Sequence, residues 1–358
     1  MKYIIIRLFG VGLALLLVEI LWGGWINSAK LNQLNLVRNS IITYDVSDLY
    51  ESEKKNVIYT RDEYGLRGNY TSLSTIDYLT IGGSTTDQRY IDDNATWQAV
   101  MIEEFNKSGK NYTYANAGLD GQSCVGHIKN FEYWFPSLPD FKPSYVILAV
   151  GLNDIYRLER EDGSFDELFA TDKKKLGLKQ MIAENSALWN RYKTFKGAFS
   201  AVQHNVGHSP VDYTAIAWVD QPSVKQPYKD LMSPGISNYQ KRLEILINLV
   251  RSIGAEPIII SQPARMYKKI NGKIWGNSET KWFKEEQFNG VDFYEMMKIL
   301  DEVSQEVSIR QKAMFIHASE LLLEDLEDKD FYNDFHLSPS GCKKMGSLLY
   351  NILSAAGH

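Results

Sequence analysis

Residues 77–87 read DYLTIGGSTTD, and the fold turns on how this stretch is read. A short apolar run, Tyr78 to Ile81, ends at Gly82 and Gly83. Ser84, Thr85 and Thr86 follow, and then a segment with helical spacing. The pattern predicts a buried strand, a tight glycine turn and a helix N-terminus. At such a helix start, orphan backbone N–H groups and the positive end of the helix dipole converge. That suits a nucleophile whose attack creates an oxyanion. The plainer alternative is that Ser84 is an N-cap and nothing more.

Downstream of this stretch the chain keeps alternating. Residues 96–109 have helical spacing, with Trp97, Val100, Met101 and Phe105 apolar and Gly109 as the stop. YTYANAG (112–118) reads as a strand and 121–135 as a helix. YVILAVG (145–151) is a continuous apolar run, typical of a central parallel strand, and it ends in GLND, 151–154. Residues 155–235 break the rhythm with a charged run (Arg157 to Asp172), an aromatic-rich helix and a loop holding His204 and His208. We read them as an insertion over one end of the sheet. The rhythm resumes with an amphipathic helix (236–255) and a strand (256–263). A second irregular stretch carries Tyr267, Trp275, Trp282 and Phe283, and a helix, a strand (313–319) and a last helix follow. Five strands alternating with helices predict an α/β domain over 76–358. Its sheet is parallel and about five-stranded, with helices on both faces.

Upstream, residues 1–7 carry Lys2 and Arg7. From Leu8 to Ile26 the only ionisable residue is Glu19. Such a run, at about 1.5 Å per residue, approaches the roughly 30 Å hydrocarbon core of a bilayer. A cleaved signal peptide fits less well, because the candidate end at Ala29 has Asn27 at the −3 position. The expectation is therefore a transmembrane anchor over 8–26, with residues 1–7 cytoplasmic and the body of a single-pass inner-membrane protein outside the cytoplasm. Residues 27–75, polar and mixed, read as a stalk and lead-in.

Composition narrows the function. The chain has 358 residues, a formal net charge of −5 and no basic cluster, so nucleic acid is not an expected partner. Two cysteines, Cys124 and Cys342, lack any metal-ligand spacing; they could pair outside the cytosol, but the reading favoured is buried thiols.

In an open parallel sheet, functional residues gather at the C-terminal strand ends. Ser84, Gly121 and Asn153 stand at or just beyond three such ends. His336 lies in a loop before the last helix, with Asp334 two residues earlier. Extended backbone points residues two apart to the same side, which would bring the Asp334 carboxylate to the imidazole. The kit is that of a nucleophilic hydrolase. Ser84 attacks, His336 takes its proton and Asp334 holds the other ring nitrogen. The N–H groups of Ser84 and Gly121 and the side-chain amide of Asn153 hold the oxyanion. Asp154 reads as a cap or orienter of its loop. His127 and His317 read as packed or hydrogen-bonded groups, and His204 and His208 as a solvated loop.

Four blocks, IGGST, NAGLDGQS, VGLND and DFHLSPSG, in this order from Tyr78 to the C-terminus, resemble those of the SGNH/GDSL hydrolase family. The resemblance implies a three-layer α/β/α sandwich and places the nucleophile on Ser84, the oxyanion groups on Gly121 and Asn153, and the base on His336. It implies no metal or cofactor. One departure stands out: the family's Asp lies three residues before its His, where this chain has Asn333. The expected activity is hydrolysis of an O-acyl ester, O-acetyl foremost, on a small molecule or a cell-envelope glycan. O-acyl transfer by the same site and a non-catalytic envelope-binding module are the alternatives.

Overall fold

The computed structural model describes residues 2–23, 31, 34, 36–157, 186–189, 191–192, 208–233, 235–283 and 286–358. His204 and most of the 155–235 insertion lie outside the described residues.

The first helix, α1, spans Lys2–Trp22. No helix among the described residues is long and apolar enough to cross a membrane, so the expected anchor over 8–26 is unconfirmed. Glu19 has partners in the insertion: its carboxylate accepts from the Ser186 hydroxyl (2.7 Å) and from the N–H groups of Ala187 (3.0 Å) and Leu188 (3.2 Å).

Strands β1 (Ser40–Asp45) and β2 (Asn56–Arg61) form an antiparallel hairpin, and β3 (Arg67–Asn69) follows. Then come β4 (Tyr78–Gly82), α2 (Ser84–Asp87), α3 (Trp97–Lys107), β5 (Tyr114–Asn116), α4 (Cys124–Lys129) and β6 (Tyr145–Ala149). Later strands are β7 (Trp218–Val219), β8 (Glu256–Ile260), β9 (Tyr267–Ile270), β10 (Lys273–Asn277), β11 (Lys281–Phe283), β12 (Glu286–Phe288) and β13 (Met314–Ile316).

The main sheet has six strands in the order β13-β8-β6-β4-β5-β3. The five expected strands are parallel, while β3 adds antiparallel to the β5 edge, so the sheet is mixed. Lead-in residues thus belong to the domain: β3 lies in the sheet, and Val57, Tyr59 and Leu66 are buried. β4, β6 and β8 read as near-continuous apolar runs because both faces are covered. One core contains Leu79, Ile81, Val146, Leu148 and Ile259, with Leu243, Leu246 and Leu300 from helices Gly235–Ser252 and Gly290–Gln311. The other contains Tyr78, Ile147, Ile258 and Ile260, with α3 and helix Pro339–Ala355. Register places Gly82 opposite Ala149, and Ala149 opposite Ile260, so the loops after β4, β6 and β8 leave the sheet at one level.

Candidate active site

The turn after β4 is shaped by glycines that its neighbours require. A Cβ on Gly83 would lie 2.1 Å from Asn153 Nδ2, and one on Gly82 would lie 2.1 Å from Thr86 Oγ1. Gly83 is the N-cap of α2, so Ser84 is the first helical residue and its hydroxyl is free of capping duty. Ser84 Oγ instead lies 2.8 Å from His336 Nε2. The two residues are 252 apart in sequence, and the sheet edge brings them together.

His336 sits in a tight loop. Phe331 and Leu337 form an antiparallel bridge, and the Tyr332 N–H donates to the His336 carbonyl at 3.0 Å. Inside the loop, Asn333 Oδ1 accepts from the backbone N–H of Phe335 (3.1 Å) and of His336 (3.0 Å), and lies 2.7 Å from His336 Nδ1. Two backbone donors on one oxygen fix the amide orientation. His336 Nδ1 must then carry the proton, which leaves Nε2 as an acceptor toward the Ser84 hydroxyl. Burial holds His336 well below the usual imidazole range, His208 pushes the same way, and Asp87 acts against them.

The expectation for Asp334 is corrected. Its carboxylate pairs with Lys281 Nζ at 2.8 Å, and its carbonyl accepts from the Arg265 N–H at 2.6 Å. The two-residue alternation needs an extended strand, but the segment is a turn in which Asn333 bonds its own following backbone. The residue three before His336, and not two, reaches the ring.

Gly121 takes φ +74°, a conformation that favours glycine. Among the described residues, the N–H groups of Ser84 and Gly121 donate to no backbone or side-chain acceptor. Asn153 Nδ2 donates to the Gln122 carbonyl at 2.8 Å, which sets the amide beside Gly83 and the Gly121 loop. Asp154 is buried and accepts from the N–H groups of Cys124 (3.1 Å) and Gly151 (3.3 Å), tying the β6 loop to the start of α4. Burial raises its carboxyl.

Two buried arginines from the lead-in support the nucleophile turn, and sequence reasoning missed both. Arg61 pairs with Asp87 at 2.5 Å and donates to the carbonyls of Gly65, Asn116 and Gly118. Arg67 donates to the carbonyls of Asp87, Gln88 and Ile91. Burial alone would raise Asp87, but Arg61, Arg89 and Arg67 hold it below the usual carboxylate range.

His208 is also corrected, from a solvated loop to a contact with His336 at a ring separation of 4.0 Å. His127 is buried and hydrogen-bonded to Gln122 at 3.1 Å, and burial pushes it down to about 3. His317 meets Asp301 at 3.3 Å. Cys124 and Cys342 are free, buried thiols.

Comparison with known proteins follows the same lines. No curated protein matches the sequence. Similar solved structures include TesA (12% identity, 77% of this chain and 97% of that chain, TM-score 0.41). The acetyl xylan esterase AlAXEase is another (13%, 77% and 99%, TM-score 0.42). A third is a catalytic mutant of Axe2, an acetylxylan esterase from Geobacillus stearothermophilus (11%, 78% and 94%, TM-score 0.43). The GDSL-like lipase/acylhydrolase model matches residues 78–349, from the first strand residue before the Ser84 turn to the last helix. With that span covered, the chain belongs to the SGNH/GDSL family of GDSL-like lipases and acylhydrolases and is an ester-hydrolysing enzyme.

Proposed function

We propose that the chain is a serine esterase in which Ser84 is the nucleophile and His336 the general base, acting on short O-acyl esters. The observation that carries this reading is the 2.8 Å approach of His336 Nε2 to Ser84 Oγ, with the ring tautomer set by Asn333. Ser84 Oγ attacks the ester carbonyl carbon while its proton passes to His336 Nε2. The carbonyl oxygen becomes an oxyanion, held by the N–H groups of Ser84 and Gly121 and by the Asn153 amide. Collapse expels the alcohol, which takes the proton back from His336, and leaves the acyl group on Ser84. Water, activated by the same ring, then releases the acid. Asn333 orients the imidazole without supplying a countercharge.

A small cavity beside the site is lined among others by Thr85, Trp97, Gln262, Pro263, Phe335 and Leu337. Ser84 and His336 do not line it, but the residues beside them do.

The compound that carries the acyl group is the finer part of the proposal. We place it on a cell-envelope glycan because the N-terminus is apolar with a positive flank. Proteolysis of spheroplasts that left the catalytic domain intact, when lysed cells lost it, would refute that location.

A fluorophosphonate probe should label the wild type and leave Ser84→Ala unlabelled. Equal labelling of both proteins, or none of a folded wild type, overturns the nucleophile assignment. With an acetylated envelope glycan as substrate, hydrolysis releases free acetate. Acetate appearing on a second hydroxyl compound identifies the transferase alternative instead.

A further inference from the structure

Aromatic rings from distant parts of the chain converge on His336. The Tyr332 ring stacks on it at 5.4 Å and 14°. His208, at the far end of the insertion, lies against it with ring centroids 4.0 Å apart and an interplanar angle of 31°. His208 Nδ1 is 3.0 Å from the Tyr332 hydroxyl. On its other side Tyr90, just beyond α2, packs edge-on against His208 at 5.1 Å. Tyr90 is itself fixed from the lead-in, where the Tyr50 hydroxyl donates to its carbonyl at 2.6 Å. The proton transfers described above make no use of this second imidazole.

We propose that His208 is a positioning residue for His336: its neutral ring holds the base against Ser84, and its protonation disables the base. The inference rests on the assignment of His336 as the base.

The physical argument starts from what Asn333 lacks. As Ser84 attacks, His336 becomes an imidazolium, and a neutral amide at Nδ1 offers no countercharge. A neutral aromatic face 4.0 Å away attracts a cationic ring. A protonated His208 would repel it, and two such rings in a buried site do not both ionise readily. The charged groups that act on His208 are Asp120 and Asp87, which favour its cation, and Arg89, which opposes it. The phenols of Tyr332 and Tyr90 are both pushed up, by burial first, and stay neutral. Burial lowers both His208 and His336, and a proton on one ring opposes a proton on the other.

The sign follows. The active form has both rings neutral, so the acid limb of the wild-type profile is the first protonation of the coupled pair. Removing His208 leaves the protonation of His336 alone, which moves that limb to lower pH.

The test uses pH profiles of kcat/KM for 4-nitrophenyl acetate with the full chain, His208→Phe and His208→Gln. The Gln variant guards against a Phe variant that does not fold. NMR titration of the imidazole Cε1–H signals accompanies each profile. Both variants should lose several-fold at the alkaline plateau and shift the acid limb to lower pH by about half a unit or more. The His336 titration should change in both variants. An unmoved acid limb, or a His336 titration identical in all three proteins, overturns the proposal. Hydrolysis that survives Ser84→Ala sinks the base assignment, and the NMR comparison still decides whether His208 is coupled to His336.

Discussion

Ser84 stands on a turn locked by close packing and buried charge, whereas His336 stands on a loop shaped by its own Asn333 and flanked by two irregular stretches. At the serine, Gly82 and Gly83 sit under Thr86 and Asn153 at separations that exclude any Cβ. Below them Arg61 and Arg67 hold the carbonyls and the carboxylate of α2 and the loop behind it. At the histidine, the loop takes its shape from Asn333. Its flanks are fixed by Lys281 and Arg265 of the second irregular stretch and by His208 of the insertion. The difference teaches where adjustment is possible. The nucleophile end is buried and charge-locked, so changes there cost stability or abolish the reaction. At the base end, substitutions should tune the proton.

The largest effect should come from Ser84→Ala, a loss of roughly 10³-fold or more in kcat/KM for a short-chain ester. A loss under tenfold would mean that the rest of the site works without the nucleophile proposed here.

Arg61→Met should be next and should act on stability. It leaves Asp87 buried with Arg89 at 3.5 Å as its remaining ion-pair partner. Removing one partner of a buried pair costs about 3–5 kcal/mol, which urea unfolding would read as a lower midpoint at unchanged slope. A change below about 1 kcal/mol would show that the nucleophile turn does not lean on the lead-in.

Smaller effects should separate the neighbours of His336. Asn333→Ala should lower kcat/KM by about 10- to 100-fold, because the ring loses its orienting acceptor. Asp334→Ala should cost a few-fold, through the Lys281 contact alone. The reverse order would restore Asp334 as the partner of the imidazole. Asn333→Asp sharpens the same contrast: a carboxylate at Nδ1 favours the imidazolium and raises the His336 pKa. The His336 imidazole signal should therefore titrate at higher pH by NMR. A titration that stays in place would count against residue 333 as the partner of Nδ1.

Much of this was legible before any coordinates. The apolar runs of β4, β6 and β8 and the double glycine before Ser84 are local signals, and local signals survive in sequence. So does the pairing of distant blocks, once each is seen to end a strand of one parallel sheet. What failed to show was short or non-local. Strand β3 is three residues long, Arg-Gly-Asn, and carries no apolar period, so a sheet strand read as part of the lead-in. Arg61 and Arg67 gave no signal because nothing in their spacing reveals Asp87 or the carbonyls they satisfy. His208 gave no signal in its own neighbourhood, since its contacts are with residues more than a hundred positions away in either direction.

By itself the sequence determined an α/β domain with a serine at the head of a helix and a histidine before the last helix. Backbone periodicity, glycine geometry and strand burial act over a few residues and leave their mark there. The tertiary structure decided which side chain meets the imidazole, what holds the nucleophile turn from beneath and which second ring covers the base. Those outcomes depend on the path of a turn and on packing between distant segments, where a shift of one residue exchanges an amide for a carboxylate.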